Sequence, residues 1–252
     1  MKTPARFAID AIRAAARAGG VELHRVSQYT SPMIRLAMLL RLLRTEVVFD
    51  IGANAGQFAQ DLRGSGYGGR LVSVEPLIEA HASLVQAAAH DRRWTVAPRT
   101  AVGARAGRAM LNVAGNSVSS SLHEMTSAHL EAASESRYVS SEAVDITTLD
   151  ALLQQYAEAP DSAVFVKLDV QGHEGDVLAG AGPRLDRIGG LQLEVSLVEL
   201  YQGQVLMQQQ VAALVSRGLT LWSLDRGFMD GRTGQLLQCD ATFVRRELVR
   251  RS

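Results

Sequence analysis

The chain has 252 residues, 47% of them hydrophobic, and its 26 basic and 26 acidic side chains cancel. That length supports one domain with a sizeable core, and the balanced charge gives no electrostatic case for a nucleic-acid partner, which leaves a basic footprint. The single cysteine, Cys239, excludes an internal disulfide or a cysteine-based zinc site and fits a reducing, cytoplasmic setting, and no run of about 20 apolar residues exists to span a membrane.

Residues 1–45 predict a helical N-terminal extension. Ala, Arg, Leu and Ile dominate, and arginines punctuate the apolar positions in two amphipathic segments, near 7–18 and 34–43. Met33–Leu43 is interrupted by Arg35 and Arg41, lies too far in for a secretory signal and lacks a small-residue cleavage site. The extension has several open readings: helices packed on the main domain, a lid, a homodimer contact, or peripheral contact with a membrane surface.

From residue 46 to 252 the pattern changes to short Val/Ile/Leu runs alternating with helical stretches. Strands are predicted at 47–51, 70–74, 96–102, 109–113, 163–169, 191–195, 219–224 and 241–246. Helices are predicted near 57–65, 78–90, 175–181 and 204–217. Apolar strands alternating with helices mean an α/β layer around a mostly parallel sheet buried on both faces. The last two strands, joined by the turn Asp230-Gly231-Arg232-Thr233-Gly234, read as an antiparallel hairpin at one edge. The expectation is a Rossmann-like fold whose seven-stranded, mostly parallel sheet ends in an antiparallel C-terminal strand, as in S-adenosylmethionine (SAM)-dependent methyltransferases. Residues 115–141 stand apart. They hold nine serines, His123 and His129 with little strand signal, and read as a lid or a plain loop.

The segment Asp50-Ile51-Gly52-Ala53-Asn54-Ala55-Gly56 follows a buried strand and opens a helix. Its glycines allow a sharp turn and close backbone approach to a ligand, and such a loop lies at the carboxyl end of the sheet, where open α/β folds bind ligands. The spacing is not Gly-x-Gly-x-x-Gly, which argues against NAD. An acid at the strand end, Asp50, would repel a pyrophosphate but suits the cationic amino group of SAM, directly or through water. The next strand ends in Glu75, whose carboxylate can accept hydrogen bonds from both ribose hydroxyls. The bland alternative makes Asp50 and Glu75 helix caps or solvated strand ends. Gly52, Asn54 and Gly56 complete the expected cofactor loop, and Ala101, at the third strand end, is placed beside the adenine by geometry.

Val166-Lys167-Leu168-Asp169-Val170-Gln171-Gly172-His173-Glu174, followed by Val177-Leu178-Ala179-Gly180, resembles the FkbM family of SAM-dependent methyltransferases. Val48–Asn54, Val74-Glu75-Pro76, Ser119–Leu122, Thr148-Leu149-Asp150, Leu193-Glu194-Val195 and Asp240–Val244 look like further pieces of the family pattern in the same order. The resemblance spans about residues 46–246. It implies methyl transfer from SAM to macrolide or sugar hydroxyls. One departure stands out: Gln171 occupies a position where the family usually has Glu, so it is expected to orient a hydroxyl or the cofactor.

Methyl transfer needs an acceptor oxygen held in line with the methyl group and a base for its proton. Asp169 is expected to line the site as a base or as a contact to the SAM amino group. His173 is the better base by intrinsic chemistry, or a helix cap. Glu194 is expected to bind substrate hydroxyls or hold backbone. Ser120, Ser121, Gln171 and Glu174 are the candidate acceptor contacts. Asp169, Glu194 and Asp240 are strand-end acids that could meet a hard cation, but such acids also arise by default, and no metal is assigned. The expected acceptor is a small molecule, glycan or glycolipid, with hydroxyl methylation on a sugar or a polyketide-type product. N-methylation and a non-catalytic SAM-binding role are the alternatives.

Overall fold

The computed structural model describes residues 4–116, 119–157, 159 and 163–249. Two helices, α1 (Pro4–Ala18) and α2 (Pro32–Leu42), precede β1 (Val47–Ile51). Ser31 caps α2 by accepting from the Ile34 N–H, and Pro32 occupies the first turn, where a missing N–H costs nothing. The β/α units are then β1–α3 (Gln57–Gly64), β2 (Arg70–Val74)–α4 (Ile78–Ala88) and β3 (Trp94–Val96). After a second, smaller sheet come α6 (Leu149–Tyr156), β7 (Val164–Leu168)–α7 (Glu174–Ala179) and β8 (Ile188–Ser196)–α8 (Met207–Ser216). β9 (Leu219–Arg226), β10 (Gln238–Arg245) and the short helix α9 (Arg246–Val249) follow.

These strands form the expected seven-stranded sheet, in the order β3-β2-β1-β7-β8-β10-β9. β3, β2, β1, β7 and β8 pair in parallel, and β10 runs antiparallel to both β8 and β9. β10 is the reversed strand. Chain order switches direction between β1 and β7, which opens a crevice at the carboxyl ends of these strands. Alternate residues of β1 feed opposite faces. Val47, Phe49 and Ile51 pack with Val166, Leu168, Leu191 and Leu193, whereas Val48 packs with Leu71, Phe165 and Val244. Both faces are therefore dry, which is why these strands read as nearly continuous apolar runs, interrupted by Asp50 in β1 and Lys167 in β7. α2 lays Leu36, Ala37, Leu39 and Leu40 into the second of those faces. Among the described residues no helix is long and apolar enough to cross a membrane.

The structure departs from the expectation between residues 96 and 148. The run predicted as one strand, 96–102, is two: β3 ends at Val96, and β4 (Ala101–Gly103) belongs to a separate three-stranded sheet with β5 (Gly107–Ala114) and β6 (Tyr138–Thr148). Pro98 lies in the break and has no N–H for a ladder. The excursion also contains helix α5 (Ser127–Ala132), and its last residues, 138–141, enter β6. Ala101, Leu111 and Val144 of the small sheet pack with Leu77 and Ala80 of the second β/α unit. That contact plants the small sheet beside the crevice.

Candidate active site

The loop after β1 is shaped by left-handed backbone. Gly52 has φ of 77°, and a Cβ there would lie 1.8 Å from the Asp169 carbonyl oxygen. The loops after β1 and β7 can touch because that position carries no side chain. Gly56 (φ of 91°) heads α3, where a Cβ would meet Trp94 and Leu84 at about 3 Å. Gly56 therefore serves packing, whereas Gly52 faces the crevice. Asn54 (φ of 47°) donates its backbone N–H to Glu75 Oε2 at 2.8 Å, and the Leu77 N–H reaches Glu75 Oε1 at 2.9 Å. A carboxylate that takes one backbone donor per oxygen retains lone pairs for two more hydroxyl donors.

Gly52, Asn54, Glu75, Ala101 and Asp169 line one cleft with about 700 Å³ of empty space. Its remaining walls are mostly apolar, from Leu77, Val102, Leu111 and Leu122, with Ser120 and His173 at the edge. Beside it lies a second cleft, lined by Asn116, Ser119, His129, Ser136, Glu194, Phe228 and Gln238. Asp169 and Gln171 line both.

Around that junction the polar groups form one network. Lys167 Nζ sits 3.1 Å from Asp50 Oδ1 and 3.3 Å from Asp169 Oδ2. Burial alone would pull the ammonium down, but the two carboxylates prevail and hold it charged. Gln171, in left-handed backbone at φ of 52°, donates Nε2 to Asp169 Oδ1 at 2.7 Å and to Glu194 Oε2 at 3.0 Å. The Tyr201 hydroxyl donates to Gln171 Oε1 at 2.7 Å, so the amide can face only one way. Gln238 Nε2 also donates to Glu194 Oε2, at 2.9 Å. Burial, then Asp169, Glu174 and Asp240, push Glu194 well above the ordinary carboxylate range.

Comparison with protein families matches residues 50–228 to the methyltransferase FkbM domain. The chain belongs to the FkbM methyltransferase family. It is a SAM-dependent methyltransferase. A search of curated proteins found no match. Among solved structures, the chain is similar to the 1,6-didemethyltoxoflavin-N1-methyltransferase of Burkholderia thailandensis, bound to S-adenosylhomocysteine. The identity is 16%, with 97% of this chain and 91% of that one covered, at a TM-score of 0.42. It is also similar to an O-methyltransferase from Bacillus cereus in complex with SAH, at 13% identity, 94% and 90% coverage and a TM-score of 0.43.

This FkbM-family chain fits SAM at the first cleft. Glu75 stands at a strand tip in a largely apolar channel that Gly52 also lines. Several predicted residues stand elsewhere. Asp50 is fully buried and paired with Lys167, and it does not line the cleft. Glu174 is turned inward, where Oε1 accepts from the N–H groups of Val170 and Gly172 and so ties the turn rather than an acceptor. Burial raises its pKa to about 7. Ser121 is buried, and its hydroxyl donates to the Gln171 carbonyl at 2.6 Å, clasping the excursion to the β7 turn. The Ser120 hydroxyl accepts from the Ala114 N–H and borders the first cleft, not the second. His173 precedes α7 without a side-chain cap bond, and burial and then His123 lower its pKa to about 4. The sequence reading missed Tyr201, Gln238, Lys167 and Asn116. Lys167 sits inside the quoted motif and had a signal in its charge beside strand-end acids; the other three are distant in sequence and carry none.

Proposed function

We propose that this methyltransferase acts on a hydroxyl of a sugar, borne on a glycolipid, a polysaccharide or a polyketide-type product. The single observation that carries this reading is the sharing of Asp169 and Gln171 between the apolar cleft and the polar one. The second cleft offers Asn116, Ser119, Ser136 and Gln238 to hydrogen-bond hydroxyls, and Phe228 as a flat apolar wall with the His129 ring beside it. A polyol with an apolar ring face matches that lining better than a hydrocarbon does.

SAM, when bound, supplies a methyl group on a positively charged sulfur. Glu75 would hold its ribose, the backbone of Gly52 and Asn54 its methionine part, and Ala101 with Leu77 and Val102 its adenine. Asp169 accepts the hydrogen bond of the acceptor hydroxyl and takes its proton, while Lys167 and Gln171 hold one carboxylate oxygen each. Burial and its acidic neighbours push Glu194 toward the protonated form, which would donate to a neighbouring oxygen of the acceptor. His173 is too weak a base for this task and forms a wall of the cofactor side. α1 and the 115–141 excursion are proposed as accessory parts of the 46–252 domain, the excursion walling both clefts. The buried, unpaired Cys239 supports a cytoplasmic setting.

The test is S-adenosylhomocysteine release with a panel of sugars, amines and apolar alcohols. Sugar-dependent turnover is expected, and Asp169→Asn should lower kcat by roughly 10²–10⁴-fold, the usual contribution of a general base. Turnover on amines alone, or an unchanged kcat in Asp169→Asn, would overturn the reading.

A further inference from the structure

We propose that His123, His173 and Asp176 form a binding site for a borderline transition-metal ion such as Zn²⁺, which pins the serine-rich excursion to the turn that carries the catalytic residues. One candidate ligand atom from each residue lies within 4.8 Å of the other two. The imidazoles of His123 and His173 meet edge to face, with centroids 4.0 Å apart. His173 Nδ1 is buried without a hydrogen-bond partner, and its Nε2 faces Asp176 Oδ2 at 3.7 Å, beyond hydrogen-bonding range. A packed interior rarely leaves an imidazole nitrogen such as His173 Nδ1 without a partner.

Two imidazoles and one carboxylate are the donor set that Zn²⁺, Co²⁺ and related ions take, leaving outer positions for water. Bonds of about 2.0–2.2 Å at tetrahedral angles place ligand atoms about 3.4 Å apart, so closing the triad needs side-chain shifts of about an ångström. Asp176 is about half exposed, which gives the ion a way in. Mg²⁺ and Ca²⁺ prefer all-oxygen shells and are not expected to compete.

The consequence is structural. His123 follows Ser121 in the excursion, whereas His173 and Asp176 lie at and inside the start of α7. Ser121 already clasps the Gln171 carbonyl at 2.6 Å, and the metal would add a second clasp beside the cofactor cleft that His173 lines. This inference stands on the triad's geometry and not on the identity of the methyl acceptor.

The experiment is titration of the metal-free full chain with Co²⁺, followed by visible absorption, and with Zn²⁺, followed by calorimetry and thermal unfolding. One equivalent is expected, with a rise in Tm as Zn²⁺ saturates. His123→Gln and Asp176→Asn should each weaken binding at least tenfold. The half-exposed Asp176 makes its variant one that folds. His90→Gln, at an exposed position outside the triad, should bind as wild type. Absence of stoichiometric Co²⁺ and Zn²⁺ binding overturns the proposal. So does binding that survives both triad substitutions, or binding that is lost in His90→Gln.

Discussion

Removing the Glu75 carboxylate tests the cofactor cleft most directly. In the free protein Glu75 is 4% exposed, and its two oxygens accept from Asn54 and Leu77. With cofactor bound, the remaining lone pairs would receive the ribose hydroxyls. Hydrogen bonds to a charged group contribute about 1.5–3 kcal/mol each net of exchange with water, and water admitted beside the smaller side chain recovers part of the loss, so Glu75→Ala should cost roughly 1–3 kcal/mol of binding. That is a rise of roughly 5- to 150-fold in Kd. The same change leaves two backbone N–H groups in a dry loop without acceptors, at about 1–3 kcal/mol each, so Tm should fall as well. Glu75→Gln keeps the shape but points an NH₂ at one of those N–H groups, and is expected to lose nearly as much. The assay is calorimetric titration with S-adenosylhomocysteine at pH 8, above the value of about 7 to which burial raises Glu75. A folded Glu75→Ala protein that binds within twofold of wild type would refute the ribose assignment.

Lys167→Met leaves Asp50 buried with its charge unmatched, which should destabilise the fold by about 3–5 kcal/mol in chemical denaturation. Adding Asp50→Asn should restore part of that loss, and strict additivity of the two would show that the pair is not coupled. Tyr201→Phe frees the Gln171 amide to turn its donors away from Asp169 and Glu194. A fall in acceptor kcat/KM of about tenfold is expected with cofactor affinity unchanged, and steady-state kinetics beside calorimetry separates the two. Glu75 and Glu174 both rise from 4.5 to about 7 on folding. These two carboxylates hold more protons folded than unfolded between those values and together outweigh His173, which is lowered from 6.5 to about 4 and works the other way, so the ligand-free protein should lose stability as pH rises from about 4.5 to 7. A Tm that climbs steadily over that window would contradict the burial of both carboxylates.

The main sheet was readable because its strands are buried on both faces. Val47–Ile51 and Val164–Leu168 are short, largely apolar runs with no competing period, each holding one charged residue, and the glycine loop after the first marks the crevice. The small sheet was not. β6 runs from Tyr138 through Ser140, Ser141 and Glu142, polar residues on a strand that is mostly exposed, and its partner β5 lies across an excursion of more than twenty residues. No local pattern reports such a pairing. The expected antiparallel hairpin at the C-terminus did report itself, because a turn of Asp and Gly sits between two runs of matching length.

The site divides the same way. By itself the sequence determined the positions that local backbone chemistry controls. Gly52 must be glycine for the loops to meet, and Glu75 and Asp169 must sit at the ends of buried strands, where the sheet opens to a ligand. The tertiary structure decided which acids face that opening. Asp50, Glu174 and Ser121 carry the same chemistry as their neighbours in the motifs. Asp50 and Ser121 are turned into the protein by partners outside their own segments, Lys167 and the Gln171 carbonyl, whereas Glu174 folds back onto the Val170 and Gly172 amides of its own turn, away from the cleft. The physical reason is the cost of burying a polar group, which is met by whichever partner the fold delivers and so depends on contacts that sequence spacing does not encode.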